Sequence, residues 1–408
     1  MAKNTVVLAF SGGLDTSYCV KYLKHDLNLE VHSVLVNTGG FTKKELQAIE
    51  EHAMNLGVAH HETVDVVDEF YNKAVKYLIF GNVLKNNTYP LSVSAERVFQ
   101  AIAIAEYAKK TGAQYIAHGS TGAGNDQVRF DLVFNILTPE CQVITPIRDQ
   151  QLSRQAEIDY LKAHDVEMNW EKARYSINKG LWGTSVGGAE TLTSHQPLPE
   201  SAYPSQLVKK DISTITLGFE KGEITSIDGQ EMEPVEAIVI LHELASQYAI
   251  GRDIHVGDTI IGIKGRVGFE AAAPLILIKA HHLLEKHVLT KWQQHWKQQL
   301  ADWYGMMMHE GQYLDPVMRN IEKFLEDTQG NVSGKVHVTL APYQFHLTGV
   351  ESEHDLMNSK FGHYGEMNSG WTGEDVKGFT KILANQTKIW HAVNEGSRNE
   401  EPVLKGST

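Results

Sequence analysis

The chain begins with an apolar run that stops abruptly. Thr5–Phe10 (TVVLAF) has the continuous apolar texture of a strand buried on both faces, and Ser11–Gly13 ends it before a helical spacing of apolar residues takes over from Thr16 to His25. The alternation then repeats, with strand patterns at Val31–Val36, Thr63–Val66, Tyr115–Ala117 and Val143–Pro146. Between them lie helical patterns at Lys43–Asn55, Asp68–Phe80 and Ser94–Lys110, and a further one from near Ser153. Alternating strand and helix predicts a parallel sheet covered by helices, whose ligands bind beyond the carboxyl ends of the strands. The glycine-rich breaks Ser11–Gly13, Thr38–Gly40 and Gly119–Gly124 all fall at such ends.

The texture changes at Glu167–Tyr175, and the polar stretch Ser194–Ser205 reads as a surface excursion. Beyond it, Ser213–Phe219 and Glu223–Ile227 predict a hairpin, Glu233–Ala249 a helix and Thr259–Ile263 a strand. Ala280–Gln299 and Asp302–Glu310 read as helices, and Lys335–Leu340 pairs with Gln344–Val350. This is the pattern of an α+β domain. Gly373–Val393 is an amphipathic helical run beyond both domains, expected to pack on a partner subunit, with a disordered tail from Glu395. The resulting division is 1–166, 167–370 and 371–408. No internal repeat is present.

Composition narrows the possibilities. Fifty acidic against 37 basic residues give a formal charge of -13 over 408 residues, which repels a polyanion, and the basic residues cluster only as pairs such as Lys109–Lys110. Nucleic acid is therefore not an expected partner. Hydrophobic residues at 42% without a long apolar run exclude a membrane-spanning helix, and MAKNTVVLAF is too short and wrongly flanked for a signal peptide. Two cysteines, Cys19 and Cys141, cannot build a disulfide framework and favour a reducing cytoplasm.

Candidate chemistry concentrates in two loops. SGGLDTS joins the first strand to the first helix, and neither G-x-x-x-x-G-K-[ST] nor G-x-G-x-x-G is found there. Its glycine backbone can close on an anion, the hydroxyls of Ser11, Thr16 and Ser17 can donate, and Asp15 can orient the helix start or meet a cation. HGSTGAGNDQVRF (His118–Phe130) follows another strand and carries hydroxyl, amide, carboxylate and guanidinium groups on the same rim. His281, His282, Glu285 and His287 have partial metal-ligand spacing, but surface and core roles suit them better, and Trp292, Trp296 and Trp303 read as packing residues.

SGGLDTS resembles the pyrophosphate loop of the ATP pyrophosphatase superfamily. Together with HGSTGAGNDQVRF and YSINKGLWGTS, in order along essentially the whole chain, it resembles the argininosuccinate synthase family within it. The resemblance implies an α/β nucleotide-binding domain of the ATP-pyrophosphatase type, then an α+β synthetase domain and a C-terminal helical arm that ties four subunits together. It assigns ATP to Ala9, Phe10, Ser11, Gly12, Gly13, Leu14, Asp15, Thr16 and Ser17, with Val36 and Gly119. It assigns aspartate to Thr121, Asn125 and Asp126, and citrulline to Tyr89, Ser94, Asn125, Arg129, Ser176 and Ser185. The implied reaction adenylates the ureido oxygen of citrulline and then displaces AMP with the aspartate amine. Arg129 and Asp15 would position and stabilise charge, and Mg2+ would accompany ATP through its phosphates, with Asp15 a further candidate ligand.

The chain also departs from the family pattern. TGKGND has Ala123 in place of its lysine, AERVFQ replaces ARPLIA-like text after Ser94, and ENRxxGxKSRGxYE reads GDTIIGIKGRVGFE. The family's citrulline-contacting Glu and Tyr thus become Gly257 and Phe269. Either another carboxylate, Asp258 or Glu270, takes over the Glu's task, or the substrate is an N-acylated citrulline. Two readings from other classes are a tRNA-modifying enzyme of the same superfamily and a regulatory nucleotide-binding protein without catalysis.

Overall fold

The computed structural model describes residues 4–168, 175–358, 364–366 and 370–398. Its strands, in chain order, are β1 (Thr5–Ala9), β2 (Glu30–Asn37), β3 (His60–Asp65), β4 (Tyr115–Ala117), β5 (Gln142–Ile144), β6 (Ser176–Gly180) and β7 (Gly183–Gly187). They continue with β8 (Ser213–Glu220), β9 (Glu223–Ile227), β10 (Gln230–Glu231), β11 (Arg252–Asp258), β12 (Lys264–Glu270), β13 (Gly334–Ala341) and β14 (Gln344–Glu351). The first five form a parallel sheet in the order β3-β2-β1-β4-β5. Strand order reverses between β1 and β4, and in open sheets of this kind the crevice at that reversal takes the ligand.

Alternation along β1 explains why both faces are covered. Val6 and Leu8 join the cluster built on the helix Leu14–His25 with Ile147 and Leu161, while Val7 and Ala9 join the larger core on the other face, with Val98 and Ile104 of the helix Glu96–Thr111. That larger core runs on without a break into the remaining sheets, taking in Leu217, Ile238, Leu277 and Val338. Residues 1–354 accordingly form one compact unit. Two antiparallel sheets complete it, in the orders β10-β9-β8-β13-β14 and β11-β12-β7-β6.

Several expectations need correction. Thr259–Ile263 is not a strand but the turn joining β11 to β12, closed by Thr259 N–H donating to the Ile263 carbonyl at 2.8 Å, with Gly262 at φ 84°. The helical stretch expected to break after Gln299 breaks instead at Leu289, because Thr290 and Gln293 form a capping box that starts the helix Lys291–His309. Asp68–Phe80 carries a π-helical turn at Tyr71–Val75. Trp292, Trp296 and Trp303 are each more than half exposed, so within this chain they are not core.

The metal-like spacing in the helix Ala272–Val288 also resolves. His281 Nδ1 meets Asn82 Oδ1 at 2.7 Å and its Nε2 meets Gln329 Oε1 at 2.8 Å, while Glu285 receives Lys297 Nζ at 2.8 Å. All five side chains are buried and engaged with one another, which leaves His281 and Glu285 no ligand atoms for an ion. Among the described residues no group of three or more His, Cys, Asp or Glu side chains could hold a metal, and no helix is long and apolar enough to cross a membrane.

The second unit, 355–408, contains the helices Gly373–Leu383 and Asn385–Arg398, so the predicted run breaks at Ala384. Thr372 and Asp375 cap the first in a capping box. Val376, Phe379, Ile382, Ile389 and Trp390 are exposed on these helices. The tail expected to be disordered from Glu395 is helical as far as Arg398, and beyond that it lies outside the described residues.

Candidate active site

The loop after β1 is built around an uncapped helix. Gly12 adopts φ 75°, a conformation open to glycine, and Gly13 stands at the N-cap without any side-chain hydrogen bond to the first turn. The leading N–H groups of the helix Leu14–His25 therefore face outward unmet by a side chain, at the positive end of the helix dipole. Ser11 and Thr16 hydroxyls lie 3.3 Å apart beside them. The second glycine loop abuts the first: a Cβ on Gly119 would come within 3.3 Å of Asp15.

These loops open into a cavity of about 1020 Å³. That is ample for several substrates, since sites for one drug-sized ligand run to about 300–1,000 Å³. Of the ATP residues expected, Ala9, Phe10, Ser11 and Gly13 line it, as do Leu14, Asp15, Thr16, Val36 and Gly119. Gly12 and Ser17 do not. Gly12 faces Ile49, and the Ser17 hydroxyl is turned inward, donating to the Gly13 carbonyl at 2.8 Å and meeting His52 Nε2 at 2.9 Å. Ser17 thus braces the loop from behind rather than offering its hydroxyl to the cavity. All the expected citrulline and aspartate residues line the same cavity: Tyr89, Ser94, Thr121, Asn125, Asp126, Arg129, Ser176 and Ser185. Register explains part of this, since β7 pairs Ser185 with Phe269 of β12 and with Asn178 of β6.

An ionic chain crosses the cavity floor. Asp126, at the start of the helix Asp126–Leu137, accepts Arg97 Nε at 3.0 Å and Arg129 Nη1 at 2.8 Å. Arg129 also donates from Nε to the His309 carbonyl at 2.9 Å, and Arg97 reaches Glu96, Gln100 and Asn178. Burial alone would raise the Asp126 carboxyl, but the two guanidinium groups hold it below the usual carboxylate range. Glu96, fully buried, is pushed up to about 7 by burial despite Arg97 and the Thr38 hydroxyl at 2.9 Å. Sequence reading missed Arg97, Asn178 and His309. Only the acid–base pair inside AERVFQ hinted at the first.

Two buried polar atoms on this cavity lack partners, Ser94 Oγ and His255 Nδ1, as a site shaped for a bound ligand would leave them. Behind the phosphate loop, Glu157 of the helix Arg154–Ala163 is buried near Asp15, and burial followed by the Asp15 charge pushes its carboxyl up to about 8. The native state therefore keeps a proton that the unfolded chain releases from about pH 4.5, so this group costs stability as pH rises from there to about 8. Glu157→Gln is expected to raise Tm at pH 8 by at least about 2 °C and leave it unchanged at pH 4, as read from thermal melts.

A parallel sheet whose reversal point carries an uncapped helix N-terminus and a second glycine loop defines a nucleotide-binding enzyme. A family model of the arginosuccinate synthase N-terminal HUP domain matches residues 5–167, and one of the arginosuccinate synthase C-terminal domain matches 175–390. The chain is 35% identical over 392 residues to the argininosuccinate synthase of Dictyoglomus turgidum, covering 96% of this chain and 98% of that one. Similarity to that of Xanthomonas axonopodis pv. citri is 36% over 401 residues (95% and 95%), and to that of Methanocaldococcus jannaschii 35% over 363 (88% and 91%). The chain belongs to the argininosuccinate synthase family. It is a ligase of arginine biosynthesis acting on small molecules, with ATP as a substrate.

Proposed function

We propose that the enzyme joins a ureido amino acid of the citrulline type to aspartate, releasing AMP and pyrophosphate. The ureido oxygen attacks the α-phosphorus of ATP, forming an O–P bond as the α–β anhydride breaks; the aspartate amine then forms the new C–N bond as AMP leaves with the former ureido oxygen. The amine proton passes to a phosphate oxygen. The observation that carries this reading is the convergence of the Ser11–Thr16 loop and the Asn125–Arg129 helix start on one cavity. The open helix N-terminus suits the leaving pyrophosphate, and the Arg97–Asp126–Arg129 chain suits an amino acid's paired charges. Most of the work is alignment.

Asp15 lines the cavity at the first helical turn, so it is the residue that would share Mg2+ with the phosphates, where the ion would neutralise charge on them. The proposed division of labour is nucleotide binding by 1–166, the amino-acid substrates by 167–370 with the loops above, and assembly by 371–408. The proposed assembly is a cytoplasmic homotetramer, and the exposed apolar positions of the last two helices support association through this arm. Deleting Gly373–Thr408 is expected to lower the mass in light scattering; an unchanged mass would remove the arm from assembly.

The activity is tested by incubating the enzyme with ATP, Mg2+, aspartate and citrulline or its N-acyl derivatives, and measuring AMP, pyrophosphate and the condensed product. AMP formation that requires RNA instead would support the tRNA-modifying alternative.

A further inference from the structure

One end of the cavity does not suit a free α-amino group. It is bounded by Gly257 and His255, which alternate along β11 and share a face. A Cβ at Gly257 would come within 2.6 Å of His255 Nε2, so the imidazole occupies the space that a side chain at 257 would need. His255 is buried, stacks on Tyr89 at 5.0 Å, and its Nδ1 has no hydrogen-bond partner.

Lys85 acts on it from a neighbouring turn. Lys85 begins a tight turn to Tyr89, made possible by left-handed Asn86 and Asn87, and Asn86 Nδ2 pins that turn to the Val256 carbonyl at 3.2 Å. Half-buried, Lys85 lies within electrostatic reach of His255, His309 and Arg129. Burial first, then Arg129, Lys85 and His255, push His309 down to about 2.

Of the nearby carboxylates, two are paired with cations and a third is hydrogen-bonded to an amide. Asp126 bridges Arg97 and Arg129, Asp258 pairs with Lys264 at 2.6 Å in solvent, and Glu310, which also acts on Lys85, accepts Gln312 at 3.1 Å. Glu270, expected as a substitute for the missing acid, is buried against Arg252 at 2.9 Å and the Ser205 hydroxyl at 2.5 Å. An α-ammonium placed here would find Asp126 and Asp258 already ion-paired, while Lys85 has no carboxylate within ion-pair distance among the described residues.

We infer that the ureido substrate enters with its α-nitrogen acylated by a chain ending in a carboxylate, which Lys85 and His255 receive. The amide removes the ammonium, and the added carboxylate supplies the missing partner for Lys85 and for His255 Nδ1. The reacting ureido oxygen lies at the other end of the molecule, so the chemistry is unchanged. This inference rests on the ligase reading above.

AMP formation with ATP, Mg2+ and aspartate is to be measured with citrulline, Nα-acetylcitrulline and Nα-succinylcitrulline. The succinyl compound is expected to exceed free citrulline in kcat/KM by roughly 100-fold and the acetyl compound by roughly 10-fold. Lys85→Met should erase the succinyl-over-acetyl advantage through KM, with kcat held, and Lys85→Arg should retain it. A preference for free citrulline overturns the inference and leaves the ligase reading standing; equal use of acetyl and succinyl forms overturns the role of the carboxylate. Absence of AMP with all three overturns the ligase reading and this inference with it.

Discussion

Asp126→Ala is expected to lower AMP formation by roughly 100- to 1,000-fold, the scale on which removing one preorganised charge partner acts. The carboxylate lies between Arg97 Nε at 3.0 Å and Arg129 Nη1 at 2.8 Å, and it is what allows two guanidinium groups to stand side by side on the cavity floor. Without it they repel, and Arg129, anchored through Nε to the His309 carbonyl, is left with an unpaired end. The Asp126 side chain is 39% exposed, so solvent screens its pairs and their loss costs less than the roughly 3–5 kcal/mol of a fully buried pair; the variant should also melt somewhat early. Asp126→Asn separates the two effects, since it preserves shape and one acceptor. It should recover most of the stability but little of the activity, because the proposed aspartate contact requires the charge. Thermal melts alongside steady-state rates decide this; an Asn variant with near wild-type turnover would remove the carboxylate from the machinery.

Gly180→Ala is the second large effect. A Cβ there would overlap the Glu96 carboxylate. That carboxylate cannot step aside cheaply, being fully buried and held by the Thr38 hydroxyl at 2.9 Å and Arg97 Nη1 at 3.1 Å. The methyl group must either push β6 off the Thr38–Gly40 loop, where Leu181 N–H donates to the Thr38 carbonyl at 2.8 Å, or break the ionic chain at its inner end. Overpacking of this kind costs about 1–3 kcal/mol, and loss of the buried pair adds to it. Urea denaturation should report a lower midpoint, with KM for the ureido acid raised because Asn178 and Arg97 move together. An unaffected midpoint would mean that the seam is loose.

The first strand, its loop and its helix were legible because everything that defines them is local. Continuous apolar residues, two glycines and a helical spacing occupy adjacent positions from Thr5 to His25. The second loop was legible as chemistry but not as structure, since the helix Asp126–Leu137 starts inside the motif that looked like a loop. Ser17 falls off the cavity for a geometric reason: on a helix, successive residues point in different directions, and Thr16 takes the cavity side while Ser17 takes the His52 side. What could not be read was contact across sequence distance. Arg129 and His309 are 180 residues apart and Arg97 and Asn178 are 81 apart, and no local pattern encodes either meeting. The tryptophans of the helix Lys291–His309 show the same limit from the other side. Their spacing marks one helical stripe but does not say what covers it, and within this chain they stay exposed.

The central claim is that the enzyme activates the ureido oxygen by attaching it to the α-phosphorus. It is tested most directly by supplying the ureido acid that turns over fastest, labelled with oxygen-18 at the ureido carbonyl, and weighing the products. The account predicts that the label appears in the phosphate of AMP, with none in pyrophosphate. Unlabelled AMP, or ADP and phosphate as the nucleotide products, would contradict it.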